Sequence, residues 1–222
     1  MKFPAYYLPP ISWFDKYISD AKASIDLDEH YTKQSLRNHC FIDSSQGAIK
    51  LTVPVSMSNS THLTKDVRIS EHGDWRHKHW HAIQTTYYNS PFFEFLQDDF
   101  LPFYEKKYEF LVDFNIDLIN KCLELIYMGC GDSEKRKFEK METHDKNFLN
   151  PMNVLRAYRQ VFSDKHDFLP NLSIIDLLFC KGNETILFLP SAQLLYKRKC
   201  SNTNCNKKHH HGDNANIIVC SH

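Results

Sequence analysis

The chain is short of glycine, has no excess of either charge and lacks long apolar runs. Each shortage removes a class of function. Six glycines in 222 residues form neither G-x-G-x-x-G nor G-x-x-x-x-G-K, so there is no glycine-rich loop to cradle phosphates. No Ser or Cys sits on a nucleophile elbow, which disfavours covalent catalysis. Lys+Arg number 27 and Asp+Glu 27, so no strong field draws the chain to nucleic acid or to an anionic membrane. The one basic cluster, Lys197-Arg198-Lys199 with Lys207-Lys208, lies in a polar tail and solvates it. No apolar run approaches the ~20 residues of a membrane span. Met1-Lys2-Phe3-Pro4 has no positive region before an apolar stretch, so no secretory signal is read and a cytoplasmic protein is expected. The seven cysteines are an odd number. Cys40, Cys122, Cys130 and Cys180 fall at apolar or element-end positions, as small buried residues of a reduced compartment do.

What is present centres on Asp28-Glu29-His30-Tyr31-Thr32-Lys33-Gln34-Ser35-Leu36-Arg37-Asn38. It follows the apolar run Ala23–Leu27 and precedes Cys40-Phe41-Ile42. It shows neither the alternation of a strand nor the three-and-four spacing of a core helix. A loop or short helix displayed at a strand end is expected, where binding groups concentrate. The segment mixes acids, amides, cations and an imidazole rather than repeating one sign.

The rest of the chain reads in order. Phe3 to Leu8 predicts a first strand, and Pro9-Pro10 a turn into a helix start. Ile11, Trp13-Phe14, Tyr17 and Ile18 recur at helical spacing. Ala23–Leu27 predicts a second strand. Cys40–Ile42, the Ser44–Gly47 turn and Ile49–Val55 predict a β-hairpin with Pro54 at an edge. Asp66–Ile69 predicts a further strand, and Asp74 caps a helix from Trp75 to near Asn89. On it, His77 and His81 stand one turn apart, either as a metal pair or as exposed histidines. Phe92–Leu101 and Tyr104–Met128 predict core helices, the second stopped by Gly129-Cys130-Gly131. Asp132 to Lys146 is charged and poor in apolar residues, and Val154–Tyr158 is a short helix or extended piece. Leu172–Phe179 predicts a buried helix and Thr185–Leu189 a final strand. Asp176 inside so apolar a helix either bonds a partner within the fold or reaches a site, because an unpaired buried carboxylate costs several kcal/mol.

Together these elements predict an α/β fold: a small, mostly parallel sheet, Rossmann-like or HUP-like, with a β-hairpin and then a helical C-terminal half. One domain spans 3–189 and a polar tail 190–222. The tail carries Cys200, Cys205, His209 and Cys220, without a paired C-x2-C knuckle. It is expected to be disordered, with a zinc clip as the alternative.

Several of these motifs resemble the WbqC-like family as represented in Bacteroidetes-type bacteria. They are Ala5-Tyr6-Tyr7-Leu8-Pro9-Pro10-Ile11 with Phe14; Glu29-His30-Tyr31-x-Lys33-Gln34-Ser35-x-Arg37-Asn38; Leu51-Thr52-Val53-Pro54-Val55; Trp75-Arg76-x-x-His79 with Tyr87 and Ser90-Pro91-Phe92-Phe93; and Tyr158-x-Gln160-x-Phe162 leading into Phe168–Phe179. The His-Gln-Pro stretch that many relatives carry in the first strand is replaced here near Phe3-Pro4-Ala5. The resemblance implies a role in surface-polysaccharide biosynthesis, with acyl or aminoacyl transfer to an amino sugar as the reaction class. It supplies no catalytic residue.

The site expected on physical grounds joins the 28–38 segment to the start of the Trp75 helix, at the sheet edge where open α/β folds bind ligands. Lys33, Arg37 and Arg76 would grip an anionic group. His30 or His79 would act as general base and Glu29 would orient it. Tyr31 and Trp75 would stack on a ring, with Gln34 and Asn38 beside them. The expected partner is a small anionic sugar or nucleotide, with no cofactor, nucleic acid or membrane. Two further readings stand: a non-catalytic sugar- or nucleotide-binding module, and nucleotidyl transfer on a HUP-like sheet.

Overall fold

A computed structural model describes residues 1–56, 63–128 and 156–191. The Gly129-Cys130-Gly131 stop, the charged 132–146 stretch, Val154-Leu155 and the tail with Cys200, Cys205, His209 and Cys220 lie outside the described residues.

Strand β1 (Lys2–Pro4) leads through Pro9-Pro10 into helix α1 (Ile11–Ser19) and then strand β2 (Ser24–Asp26). The two strands pair in parallel, Phe3 beside Ile25. Helix α1 buries Ile11, Trp13, Phe14 and Ile18, the face its spacing predicts. β1 stops at Pro4 instead of reaching Leu8. Leu8 turns the chain at φ +41, and the Tyr7 amide is taken by the Leu36 carbonyl at 2.9 Å.

β3 (His39–Ile42) and β4 (Ile49–Thr52) form the antiparallel hairpin, closed at Gly47 with φ +104. β5 (Val55–Ser56) pairs antiparallel with β6 (Arg68–Ile69), after a 3-10 turn at Thr64–Asp66. The expected mostly parallel Rossmann-like or HUP-like sheet is not what these strands make. The described strands form three separate two-stranded sheets, and only β1 with β2 is parallel. The cause is local. Every strand is four residues or fewer, and Pro54 offers no amide to extend β4. Past Thr52 the pairing is completed by Asn38, whose carbonyl accepts from Val53 N at 2.8 Å.

Helices carry most of the core. They are α2 (Trp75–Tyr87), α3 (Phe93–Glu105), α4 (Leu111–Met128) and α5 (Ile174–Lys181). α3 and α4 are broken at Lys106–Phe110 because the Glu109 carbonyl accepts from Ile69 N and Leu111 N bonds Val67 O, which joins that corner to β6. Two phenylalanines act as hubs. Phe114 on α4 meets Tyr7, Trp75, Tyr104 and Tyr108; Phe179 on α5 meets Tyr87, Phe93 and Phe100. No described helix is long and apolar enough to cross a membrane.

Thr185–Leu189, expected as a strand, lies mostly in a 3-10 helix, Gly182–Phe188. Packing on α5 overrides the β-propensity of these residues, with Thr185 Oγ1 donating to Leu177 O at 3.5 Å. Gly182 reverses the chain at φ +50, and a Cβ there would lie 2.4 Å from Phe92 Cδ1. Gly73 also has a positive φ, +73, but open space around it. Gly182→Ala should therefore cost about 2–4 kcal/mol and Gly73→Ala about 1 kcal/mol in urea unfolding; equal costs would show that the Phe92 ring yields.

Candidate functional site

The 28–38 segment leaves β2 as an irregular loop held by a two-point ion pair. Arg37 Nε donates to Glu29 Oε1 at 2.9 Å and Nη2 to Oε2 at 2.5 Å. The two side chains are 12% and 15% exposed, so removing either strands a partly desolvated charge. The guanidinium also reaches Ser35 Oγ and lies over the Tyr6 ring, 5.9 Å from its centroid. Main-chain ties fix the segment at several points. Tyr7 N bonds Leu36 O, Thr64 N bonds Glu29 O, and Asn115 Nδ2 donates to both Ala5 O and Arg37 O at 2.8 Å. Asn38 is buried and its Nδ2 donates to Val53 O at 3.1 Å. Gln34 sits at φ +54, a left-handed conformation uncommon for a side-chain-bearing residue and often found at binding loops. Asp28, His30, Thr32, Lys33 and Gln34 are exposed; Asp28 pairs with Lys65, whereas Lys33 meets no carboxylate among the described residues. Tyr31 is partly buried against the core, and that burial raises its phenol.

The second cluster lies at the start of α2. Asp74 occupies the N-cap position, but its side chain makes no capping bond and instead approaches His77 Nδ1 at 3.7 Å. Trp75 is 6% exposed, Arg76 covers its ring at 5.0 Å, and Glu71 pairs with that guanidinium. His79 is enclosed by Trp75 edge-on and Tyr7 stacked. Its Nδ1 meets the Tyr7 hydroxyl at 3.0 Å, which meets the Tyr104 hydroxyl at 2.9 Å. Burial lowers His79 to about 4, and the Thr52 carbonyl opposes this only in part. The ring is neutral at pH 7. With Thr52 O accepting from the other ring nitrogen, Nδ1 is inferred to accept from Tyr7. His77 and His81 are exposed with their rings 6.2 Å apart. No group of three or more His, Cys, Asp or Glu among the described residues is arranged to hold a metal ion.

Glu29, Arg37 and Asn38 thus belong to one frame, and Trp75, Arg76 and His79 to another. Among the described residues, no hydrogen bond, ion pair or ring contact joins a side chain of 28–38 directly to Trp75 or Arg76. The frames meet at Thr52-Val53, where the Thr52 carbonyl faces His79 and Val53 exchanges hydrogen bonds with Asn38, and through two further dipeptides. Tyr6 lies under Arg37 while Tyr7 stacks on His79, and Phe114 meets Trp75 while Asn115 holds Arg37.

A third polar centre escaped sequence reading except for Asp176. That carboxylate is fully buried. Tyr87 OH donates to Oδ1 at 2.9 Å, and Tyr158 OH and Gln160 Nε2 donate to Oδ2 at 2.5 and 3.1 Å. Burial pushes it up to about 6 against these three donors, and neighbouring Asp43 adds to the rise. Asp43 is also fully buried. Its Oδ1 takes His166 Nε2 at 3.0 Å and Ser44 N at 2.8 Å, while Oδ2 has no partner among the described residues. Carbonyls of Asp167 and Ser44 face the two nitrogens of His166 and raise its basicity, and Asp43 raises it further. Asp43 closes an ordinary strand and His166 sits in a polar run, so neither position carries a local signal.

These features define a mixed α/β protein with a rigid polar loop beside an aromatic, histidine-bearing helix start. The chain belongs to the WbqC-like protein family, whose model matches residues 5–150. An uncharacterised protein of Mycobacterium tuberculosis, Rv1507c, is 29% identical over 117 residues, which cover 53% of this chain and 49% of that one. The match therefore spans about half the length of that relative. No solved structure matches the chain.

His79 and Asp176 make opposing contributions to stability with pH. The folded-state basicity of His79 is depressed, so its contribution is complete above pH ~6.5 and is lost as pH falls toward 4. The pKa of Asp176 is raised, so its contribution is complete below ~4 and is lost as pH rises toward 6. Each is worth roughly 3 kcal/mol. The pH profile of His79→Gln should fall between pH 4 and 6, whereas that of Asp176→Asn should rise, by urea unfolding. Slopes of the same sign in both variants would refute the assignment.

Proposed function

We propose that this protein catalyses a transfer step of surface-polysaccharide biosynthesis, acyl or aminoacyl transfer to an amino sugar or sugar nucleotide, at the 28–38 segment. Family membership is consistent with a polysaccharide role. The observation that carries the site is the exposed Lys33, which meets no carboxylate among the described residues, on a loop tied down by the Glu29–Arg37 pair. A free cation on a fixed backbone meets an anionic group without ordering a loop first. Lys33 takes the phosphate, Gln34 and the partly buried Tyr31 contact the sugar, and His30 acts as general base toward the amine. Arg37 and Glu29 act as the frame, with Asn38 and Asn115 behind them. Trp75, Arg76 and His79 form the neighbouring wall.

One observation favours a second reading, a non-catalytic sugar- or nucleotide-binding module. Both Glu29 oxygens are engaged by Arg37, which leaves His30 without an orienting carboxylate. Nucleotidyl transfer has no comparable support, because parallel pairing among the described strands is confined to β1 and β2.

A thermal-shift screen against sugar nucleotides, aminoacyl donors and triphosphates, followed by mass detection of product, separates these readings. Sugar nucleotide should stabilise the protein, and Lys33→Ala should weaken binding about tenfold or more with the fold intact. His30→Ala should abolish turnover while preserving binding. Arg37→Ala should instead unfold more easily by about 3 kcal/mol, because Glu29 is left unpaired. Stabilisation only by triphosphate with Mg²⁺, or unaltered affinity in Lys33→Ala, would overturn the proposal. Binding without product would establish the module.

A further inference from the structure

The C-terminal part of the structure holds a pair of cations that meet no counter-charge among the described residues. Arg37, Arg68, Arg76 and Arg159 face Glu29, Glu109, Glu71 and Asp164. Arg156 is the described arginine that meets no carboxylate among the described residues. Its Cζ lies 5.4 Å from the centroid of the Phe188 ring, and Lys181 Nζ lies 5.2 Å from the same centroid. Lys181 has no ion pair among the described residues either. The pair comes from two elements, the irregular 156–160 segment and the last residue of α5.

Cation–π attraction to one ring helps hold each group but does nothing for their mutual repulsion. The C-terminal end of α5 favours Lys181 and offers Arg156 no such compensation. Asp176 pairs with neither cation, its oxygens being taken by Tyr87, Tyr158 and Gln160. Glu184, on the same 3-10 helix as Phe188, makes no ion pair with either cation. Phe188 is itself braced edge-on by Tyr158, at 5.8 Å, whose hydroxyl is anchored to Asp176. Both cations therefore lie against one aromatic ring that is tied into the core. A guanidinium offers a planar fork and an ammonium a point charge, a combination suited to adjacent phosphoryl oxygens.

We infer that Arg156 and Lys181, flanking Phe188, form an anion subsite that takes a phosphoryl group, such as the diphosphate of a small molecule. It lies beyond residues 5–150, which the family model matches, and does not depend on the polysaccharide reading.

Titration of the full chain with inorganic pyrophosphate at fixed ionic strength tests it. Saturable binding is expected, weakened about tenfold or more in Arg156→Ala and in Lys181→Ala. The circular dichroism of both variants should match that of the parent. No saturable binding by the parent at millimolar pyrophosphate would overturn the inference, as would unchanged affinity in both variants. Loss in Lys33→Ala with retention in Arg156→Ala would move the anion to the 28–38 segment, which overturns this subsite and leaves the proposed function standing. Equal displacement by chloride would reduce the site to an adventitious ion only and also overturn it.

Discussion

Asp176 is a carboxylate with no access to water, bonded by two phenols and an amide. Leaving it bare would cost several kcal/mol, so the elements that carry its donors must dock where they do. Tyr87 brings α2, and Tyr158 with Gln160 bring the segment leading to α5. Tyr87 also reaches the hairpin through Asp43 N. Once Tyr87 is placed, the helical repeat puts Ile83, His79 and Trp75 on the same face, back toward the start of α2. The register of the aromatic cluster around His79 follows from a charge about 12 Å away along the helix.

The same helix thus separates two polar environments. At its C-terminal end, acids are buried with donors around them, and His166 gains basicity from carbonyls and from Asp43. At its N-terminal end, His79 sits among aromatic rings and loses basicity. Both are histidines in one small molecule, and the sign of each shift is decided by whether oxygens or rings surround it. Between the aromatic end and the 28–38 loop stand Tyr6-Tyr7, Thr52-Val53 and Phe114-Asn115. A change in the loop's ion pair therefore has a short mechanical route to His79, through Tyr6 and the adjacent Tyr7.

Ion pairing shapes the candidate site as much as position does. In sequence, Arg37 and Arg76 are cations like Lys33. In the fold, each guanidinium meets a glutamate, Glu29 or Glu71, and serves first to fix its own segment. Lys33 is exposed and meets no carboxylate among the described residues. The fork of arginine suits pairing with a carboxylate.

Local pattern was enough for much of the helical framework. Ile11, Phe14 and Ile18 specify the buried face of α1, and Leu111, Phe114, Leu118, Cys122 and Leu125 that of α4, because a 3.6-residue repeat is a property of neighbours in sequence. The β3–β4 hairpin was legible for the same reason, its strands lying a short turn apart. Strand association was not legible: whether β1, β3 and β5 join one sheet depends on partners far along the chain, and Asn38, Pro54 and the Leu8 turn decide it locally against extension. Nor does Thr185–Leu189 carry any sign of the α5 surface that curls it into a 3-10 helix. Composition and short-range spacing determined the helices, the turns and the polarity of the 28–38 loop. Which charges are neutralised, which histidine is neutral and which carboxylate is buried were decided only by tertiary structure, since Coulomb and desolvation energies depend on distance in space and not on separation in sequence.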